Sequence, residues 1–139
     1  MARRPARPTL RPIIIDTDIL IWYFRGNRRA AAALQDIEHR RRWISSITLM
    51  ELLQGCRSHE ELREVQAFVA ENVARFLHPG TAASEKAIHL IEHYALPHGL
   101  RVADALIAAS TLLHRATLLT GNVKHFRCID GLDLLEFAA

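Results

Sequence analysis

The sequence predicts an α/β domain with a mostly parallel sheet, and three observations lead to this prediction. Short apolar runs alternate along the chain with longer segments that have helical periodicity. The first run, residues 13–15, is continuously apolar and is followed by an acid, which is typical of a strand buried on both faces. In addition, 50% of the 139 residues are hydrophobic, which is enough to form the core of one domain.

The elements of the first half are predicted from periodicity and from residues that end helices. After the strand at 13–15, helices are predicted at residues 19–24 and 28–42, with Gly26 and Asn27 between them. The cations at positions 39–42 suit the carboxyl end of the second helix. Residues 43–45 predict a second strand, and residues 48–54 predict a helix that ends at Gly55.

The second half of the chain continues this alternation. Helices are predicted at residues 60–76, 84–95 and 103–114, and short strands around Leu77, at 117–119 and at 132–137. In the helix at 84–95, the spacing of Ile88, Ile91 and Ala95 predicts the stripe that faces the core. The chain shows no internal repeat and no second domain.

The formal net charge of +3 comes from the first residues of the chain. Residues 1–12 contain four arginines, three prolines and no acid, and they are predicted to be a flexible tail. Without those arginines, 14 basic and 15 acidic residues leave the remainder, residues 13–139, at −1. The tail is either a solvated extension or an arm that contacts phosphates.

Cysteine usage and hydropathy exclude other classes. Cys56 and Cys128 have no metal-type spacing and are too few for a disulfide framework, so they indicate buried thiols in a reducing, cytoplasmic setting. No apolar stretch approaches the roughly 18 residues needed to cross a bilayer, so the sequence predicts no membrane partner.

Three acids stand where the chemistry of an α/β sheet is usually found. Asp16 directly follows the first strand, Glu51 lies one turn into a helix, and Asp104 begins another helix. Each has a structural alternative: Thr48 and Glu51 have the spacing of a capping box, and Asp104 is an ordinary first-turn acid. Together, however, carboxylates at one sheet edge suit Mg²⁺ or Mn²⁺, which activate water and neutralise phosphodiester charge.

Four segments in order make the chain resemble the PIN-domain family, and more narrowly the VapC-type toxins of bacterial toxin–antitoxin pairs. These segments are IIIDTDILI at 13–21, SSITLMELLQG at 45–55, ADALIAA at 103–109 and LLTGNVKHF at 118–126. The resemblance implies a PIN-like three-layer sandwich, with four or five mostly parallel strands flanked by helices. It also implies a Mg²⁺-dependent endoribonuclease (Mn²⁺ being the alternative ion) acting on RNA, a cognate antitoxin and a homodimer.

Carried over by position, the resemblance assigns five site residues. Asp16, Glu51 and Asp104 match the metal-binding acids, and Thr120 matches the hydroxyl of the last motif. At Asn122 many PIN domains have a fourth acid, so the amide here is expected to weaken a second metal position while still orienting water. The neighbouring Asp130 and Asp133 do not match the motif.

The residues leave several alternatives open. A non-catalytic PIN-like module that binds RNA or partners is favoured by the amide at Asn122, and a haloacid-dehalogenase-type phosphatase by Asp16-Thr17-Asp18. The second interpretation would use Thr120, Lys124 and the later acids, crowded into fourteen positions. A zinc protease and a ribonuclease with two catalytic histidines are weaker alternatives. The zinc string is His89, Glu92 and His93, which the helical pattern assigns to the solvent-facing side.

Two kinds of surface are expected to bind partners. The basic residues expected to hold RNA phosphates beside the metals are Arg28, Arg29, Arg40, Arg41, Arg42, Arg101 and Lys124. The apolar residues expected to dock the antitoxin, with plain core as the alternative, are Trp22, Tyr23, Phe24, Leu52 and Leu53.

Overall fold

A computed structural model describes residues 10–139, so the predicted tail lies outside the described residues except for its last three positions. The strands are β1 (Ile13–Ile15), β2 (Arg42–Ser45), β3 (Arg75–Leu77), β4 (Thr117–Thr120) and β5 (Asp133–Glu136). They form one sheet in the order β3-β2-β1-β4-β5, and every pairing is parallel. All strands therefore begin at one edge of the sheet and end at the opposite edge.

Seven helices connect these strands. They are α1 (Thr17–Phe24), α2 (Arg28–Gln35), α3 (Ser46–Gln54), α4 (His59–Asn72), α5 (Thr81–His98), α6 (Val102–Leu113) and α7 (Val123–Phe126). A single 3-10 turn, His39–Arg41, precedes β2. Among residues 10–139, no helix is both long and apolar enough to cross a membrane.

The core consists of two apolar clusters, one on each face of the sheet. Along β1, Ile13 and Ile15 belong to the cluster that packs against α1, α2 and α4, whereas Ile14 belongs to the cluster that packs against α5 and α6. This alternation follows from the two-residue period of a strand, and it explains why the strand sequence is apolar throughout. The predicted three-layer sandwich is confirmed.

Two predicted helices are too long. The helix predicted at 28–42 ends at Gln35, and Arg42 already belongs to β2. The Arg42 side chain does serve that helix end, because its Nε donates hydrogen bonds to the carbonyls of Leu34 and Ile37. The helix predicted at 60–76 ends at Asn72, because residues 75–77 pair with β2 as an edge strand. Strand pairing is a long-range contact that local periodicity does not report.

The predicted stripe of α5 is right at Ile91, which packs against the core, and wrong at Ile88. Ile88 is 58% exposed, and the fully buried positions of this helix are Ala83, Ala87 and Leu90. The small alanines allow α5 to approach α6 closely, so the core-facing stripe carries less bulk than the exposed one. The sequence pattern followed the larger side chains and therefore selected a neighbouring stripe. The short helix α7 was not predicted.

Candidate active site

Asp16 is held at the carboxyl edge of the sheet by two hydrogen bonds. It follows β1 and caps α1, where its Oδ1 accepts a hydrogen bond from the Thr17 backbone N–H at 2.8 Å. Its Oδ2 accepts a hydrogen bond from the Thr120 hydroxyl, at the end of β4, at 2.7 Å. The residue is only 5% exposed, so both oxygens have fixed directions.

The environment of Asp16 opposes its negative charge. The pKa of this carboxyl is raised to about 7, mainly by burial and also by the nearby charges of Asp18 and Asp104. The hydrogen bonds from Thr120 and Thr17 act in the opposite direction without cancelling the effect of burial. A buried carboxylate beside two others is a place where a cation would be strongly stabilised.

Asp104 belongs to the same electrostatic cluster. It lies in the first turn of α6, and its pKa is raised mainly by burial, while the charges of His125 and Arg101 and a backbone hydrogen bond at Arg101 lower it. One of its oxygens lies 4.0 Å from Nδ1 of His125 on α7. Asp104 also raises the pKa of Asp16 and of Asp18, so its carboxylate lies near theirs.

Glu51 faces the site from α3 and not from a capping position. The cap of α3 is Ser45, whose hydroxyl accepts a hydrogen bond from the Ile47 N–H at 3.1 Å, so the predicted capping box of Thr48 and Glu51 does not form. Glu51 instead accepts a 2.8 Å hydrogen bond from the hydroxyl of Thr17, the residue after Asp16. The Thr17 oxygen also lies 3.1 Å from the Thr48 hydroxyl.

Thr120 and Asn122 occupy different environments. Thr120 is fully buried, and its hydroxyl donates to Asp16 and accepts a 3.0 Å hydrogen bond from the Asn122 N–H. This hydroxyl therefore orients Asp16 and is shielded from solvent. Asn122 is exposed, and its side chain does not cap the helix α7 that follows it. Its amide is free to face solvent at the end of β4.

Asp18 is the acid that the sequence-based assignment missed. Its Oδ2 accepts a 2.9 Å hydrogen bond from the Gly121 N–H, and within the described chain its Oδ1 is buried without a hydrogen-bond partner. A Cβ on Gly121 would lie 2.7 Å from Asp18 Oδ2, so only glycine permits this approach. Burial raises the pKa of Asp18 as well. The spacing of Asp16 and Asp18 was visible in the sequence, but it was equally compatible with a turn.

Four other candidates lie away from this cluster. Arg40, Arg41 and Arg42 lie where β2 begins, at the edge opposite the acids, so their predicted position beside the metals is wrong. Asp133 begins β5 at the same opposite edge, where it accepts a 2.6 Å hydrogen bond from Thr117. The phosphatase interpretation, which needs that acid close to Asp16, is therefore wrong.

The string proposed for zinc does not form an enclosed site. His89, Glu92 and His93 are exposed on α5, as the helical pattern predicted. The nearest contact between these side chains joins His89 Nδ1 and Glu92 Oε2 at 3.8 Å, and both are largely solvated.

A divalent ion is compatible with the carboxylate cluster. Between residues 10 and 139, no three His, Cys, Asp or Glu side chains already stand in a metal-binding arrangement. Mg²⁺, however, usually keeps several waters and takes only one or two protein carboxylates. The unpartnered Oδ1 of Asp18 and the unfavourable burial of Asp16 are the features that a hydrated cation would relieve. Oxygen donors alone, without thiolate or clustered imidazole, suit a hard ion.

Comparison with known proteins agrees with this geometry. The model of the PIN domain matches residues 13–132. Ribonuclease VapC19 of Mycobacterium tuberculosis is 33% identical over 131 residues, covering 86% of this chain and 96% of the relative. Ribonuclease VapC1 of Rickettsia felis is 33% identical over 133 residues, covering 91% of this chain and 97% of the relative.

Solved structures share the fold. A toxin–antitoxin complex from Klebsiella pneumoniae is 28% identical with a TM-score of 0.74, and the match covers 88% of this chain and 95% of that one. A DNA-bound VapBC from Salmonella typhimurium, 22% identical, has a TM-score of 0.76 over 92% of this chain and 98% of that one. With the family model matching nearly all of residues 13–139, the chain belongs to the PIN-domain family.

Proposed function

We propose that this protein is a Mg²⁺-dependent endoribonuclease and the toxin component of a toxin–antitoxin pair. The observation that carries the proposal is the group of Asp16, Asp18 and Asp104, three partly or fully buried carboxylates at one sheet edge, where the charges of Asp18 and Asp104 raise the pKa of the most deeply buried, Asp16. The relatives named as ribonucleases, and the structural similarity to toxin–antitoxin complexes, support RNA as the substrate and an antitoxin as the partner.

Asp16, Glu51 and Asp104 are the proposed metal ligands. Asp18 is a fourth acid nearby, and its charge raises the pKa of Asp16. A bound Mg²⁺, or Mn²⁺ as the alternative, would neutralise charge on the phosphodiester and favour ionisation of a water molecule. The arrangement leaves the ion space for its own waters, because only Asp16 is deeply buried among these acids.

The remaining residues orient these acids and the substrate. Thr120 fixes the direction of Asp16, and Thr17 fixes that of Glu51, through hydrogen bonds of 2.7 and 2.8 Å. Asn122, whose exposed amide both donates and accepts, is proposed to orient water or a phosphate oxygen at the end of β4. Arg101 is close enough to lower the pKa of Asp104 and is proposed to hold an RNA phosphate.

A groove beside Glu51 is the proposed antitoxin site. It has a volume of about 460 Å³ and lies between α1, α3 and α4, with Ile21, Leu52 and Val65 among its lining residues. Of the aromatic residues predicted to dock the antitoxin, Tyr23 and Phe24 are partly buried against Phe68, and Phe24 also lines the groove. Ile21, which is 39% exposed, is the better contact.

A co-expression experiment tests this groove. Ile21→Asp should weaken co-purification with the proposed antitoxin, because it replaces an exposed apolar side chain of the groove with a charge. Met50→Asp, at an exposed apolar residue outside the groove, is the matched control. Equal recovery of the partner by both variants would remove the groove from the proposal.

A homodimer is proposed from exposed apolar side chains that flank the turn between α5 and α6. Leu96 is 99% exposed and Val102 is 68% exposed, which is unusual for large apolar residues in a lone subunit. Sedimentation of the wild type and of Leu96→Ser tests this: the wild type should sediment as a dimer and the variant as a monomer. A monomeric wild type would contradict it.

The activity is tested by incubating the purified protein with total RNA in Mg²⁺, in Mn²⁺ and in EDTA. Cleavage should require a divalent ion, and Asp16→Asn and Asp104→Asn should lower it by about 100-fold or more. Asp130→Asn, at an exposed acid outside the cluster, is the control and should cleave normally. Cleavage in EDTA would favour a two-histidine enzyme, and no cleavage by the wild type would favour a non-catalytic binding module.

A further inference from the structure

The sheet edge opposite the carboxylates carries a group of arginines that we call the arginine edge. Its members are Arg11, Arg40, Arg41, Arg75 and Arg115. Strand register brings them into one row, because Ile13 on β1 pairs with both Arg42 and Thr117, while Trp43 pairs with Arg75. Each arginine lies at, or within two residues of, one of these paired positions.

Trp43 lies at the centre of this row. The guanidinium of Arg75 lies over its indole ring, 4.6 Å from the centroid, and the indole N–H donates a 3.0 Å hydrogen bond to the carbonyl of Arg40. The ring of His114, just before β4, meets the indole edge-on at 5.9 Å. Arg41 joins the row to β1, since its Nε donates to the carbonyl of Arg11 at 2.8 Å.

Only part of this charge is compensated within the described chain. Glu38 pairs with Arg40 at 2.9 Å, and Asp133 lies 3.6 Å from Arg11. All four of these side chains are at least half exposed, so the pairs are open to exchange with other anions. Five arginines against two carboxylates leave a net positive surface built around an aromatic ring.

Arg115 adds an independent observation. It has φ +49° and is the one non-glycine residue with a positive φ among residues 10–139. It follows α6 in a turn in which the Ala116 N–H reaches back to the Thr111 carbonyl at 3.0 Å, a helix ending that favours glycine. A positive φ is strained for arginine, so Arg115 costs some backbone stability at this position. This cost indicates that the side chain has a function at the edge.

We propose that the arginine edge is a second RNA-binding surface, separate from the cleavage site. Arginines hold phosphates, and the Arg75 guanidinium that lies over the Trp43 indole offers bases a planar group to stack on, a combination that fits single-stranded RNA better than an acidic protein. β2 spans four residues, so the two edges are roughly 10 Å apart through the sheet. An RNA that contacts both must extend around the domain, and the surface therefore favours longer RNA. The choice of RNA rests on the proposed function.

Binding is measured first, in EDTA and in an Asp16→Asn background, so that the RNA remains intact. The probe is a labelled single-stranded RNA of about 40 nucleotides, several binding sites of roughly 4–16 nucleotides in length. Arg115→Gly and Arg40→Ala should each weaken binding and reduce the dependence of log affinity on log salt by about 0.7, the value for one lost phosphate contact. Arg63→Ala, at an exposed arginine on α4, is the matched charge control and should change neither quantity.

Arg115→Gly separates binding from folding. Because glycine relieves the positive φ, the melting temperature of this variant should rise by about 3 °C while its RNA affinity falls. The proposal would be overturned if both edge variants kept the affinity and salt dependence of the wild type. It would also be overturned if Arg63→Ala lost as much RNA affinity as they do. An acidic protein would then be the alternative partner for this surface.

Cleavage of two substrates distinguishes this proposal from the proposed function. This comparison uses variants that retain Asp16, because it measures cleavage, and its shorter substrate is an RNA of about 8 nucleotides. There, Arg115→Gly should raise KM for the longer RNA and leave the shorter one unaffected. If nothing is cleaved, the proposed function fails while the binding result still decides the arginine edge.

Discussion

At the scale of single residues, Asp16 and its neighbours determine what the site can do. The two oxygens of Asp16 accept hydrogen bonds from Thr17 and Thr120, yet burial still raises its pKa to about 7. Folding therefore places a carboxyl group where its charge is disfavoured. This arrangement lowers the stability of the metal-free protein, and the proposed cation would offset that loss.

The pH dependence of stability tests this balance. The pKa of Asp16 is about 7 in the folded chain against a model value of 3.8, so between these values the folded state holds a proton that the unfolded state has released. The contribution of Asp16 to stability consequently falls as pH rises through this range. Asp16→Asn should be more stable than the wild type in EDTA at about pH 8, by at most roughly 4 kcal/mol, and equally stable near pH 4.

Urea unfolding at the two pH values measures this difference. Addition of Mg²⁺ at the higher pH should stabilise the wild type and not Asp16→Asn. A variant that is less stable than the wild type at the higher pH would show that the Asp16 charge stabilises the fold.

Gly121 permits the close approach of Asp18. Gly121→Ala would place a Cβ 2.7 Å from Asp18 Oδ2, which must move away and lose its hydrogen bond to the backbone N–H. We expect RNA cleavage to fall by about tenfold with little change in stability, because the substitution displaces a single hydrogen bond at the exposed Gly121. Gly55→Ala, where the added Cβ makes ordinary contacts of 3.5 Å, is the control. Equal activity of both variants would make Asp18 dispensable.

At the scale of elements, α3 shows that one segment contains separate residues for stability and for chemistry. Ser45→Ala removes the cap and should lower the free energy of unfolding by about 1 kcal/mol. Glu51→Gln should leave stability almost unchanged, since Gln also accepts the hydrogen bond from Thr17, but should lower cleavage strongly. Thermal unfolding and RNA cleavage of both variants test this separation. A stability loss in Glu51→Gln that exceeds that of Ser45→Ala would favour a structural role for Glu51.

Element boundaries also show what the sequence could predict. The central strands were predicted well, because strands buried on both faces are continuously apolar and the acid after β1 marks its end. The edge strand β3 was partly assigned to a helix, because only its pairing with β2 makes residues 75–77 a strand. The core stripe of α5 was misplaced because close packing against α6 requires alanines, which have weak hydrophobic signals.

In the candidate site, too, local sequence patterns identified some residues and missed those that depend on long-range contacts. Asp16 and Asp104 were predicted to lie together from the parallel topology and the family resemblance, and their electrostatic coupling agrees. Asp18 was missed because its position depends on a hydrogen bond from the backbone N–H of Gly121, which lies 103 positions away in the sequence. The arginines at 40–42 were assigned to the wrong edge because the sequence does not indicate where the helix before β2 ends.

At the scale of the whole molecule, the parallel sheet separates charge between its two edges. All strands end beside the carboxylates and begin beside the arginines, so a nearly neutral domain has an acidic edge and a basic edge. The net charge of the domain therefore says little about nucleic-acid binding. The carboxylates repel phosphates at one edge and the arginines attract them at the other, and both effects are local. Under the proposed function, the acidic edge needs a cation before a phosphate can approach it.

Calorimetric titration of Mn²⁺ into the metal-free protein tests that requirement most directly, because it needs no assumption about the RNA. The wild type should bind the ion, Asp16→Asn and Asp104→Asn should bind it about 10- to 100-fold more weakly, and Asp130→Asn should bind like the wild type. Absence of binding by the wild type, or unchanged affinity in Asp16→Asn, would contradict the assignment of a cation site to this sheet edge.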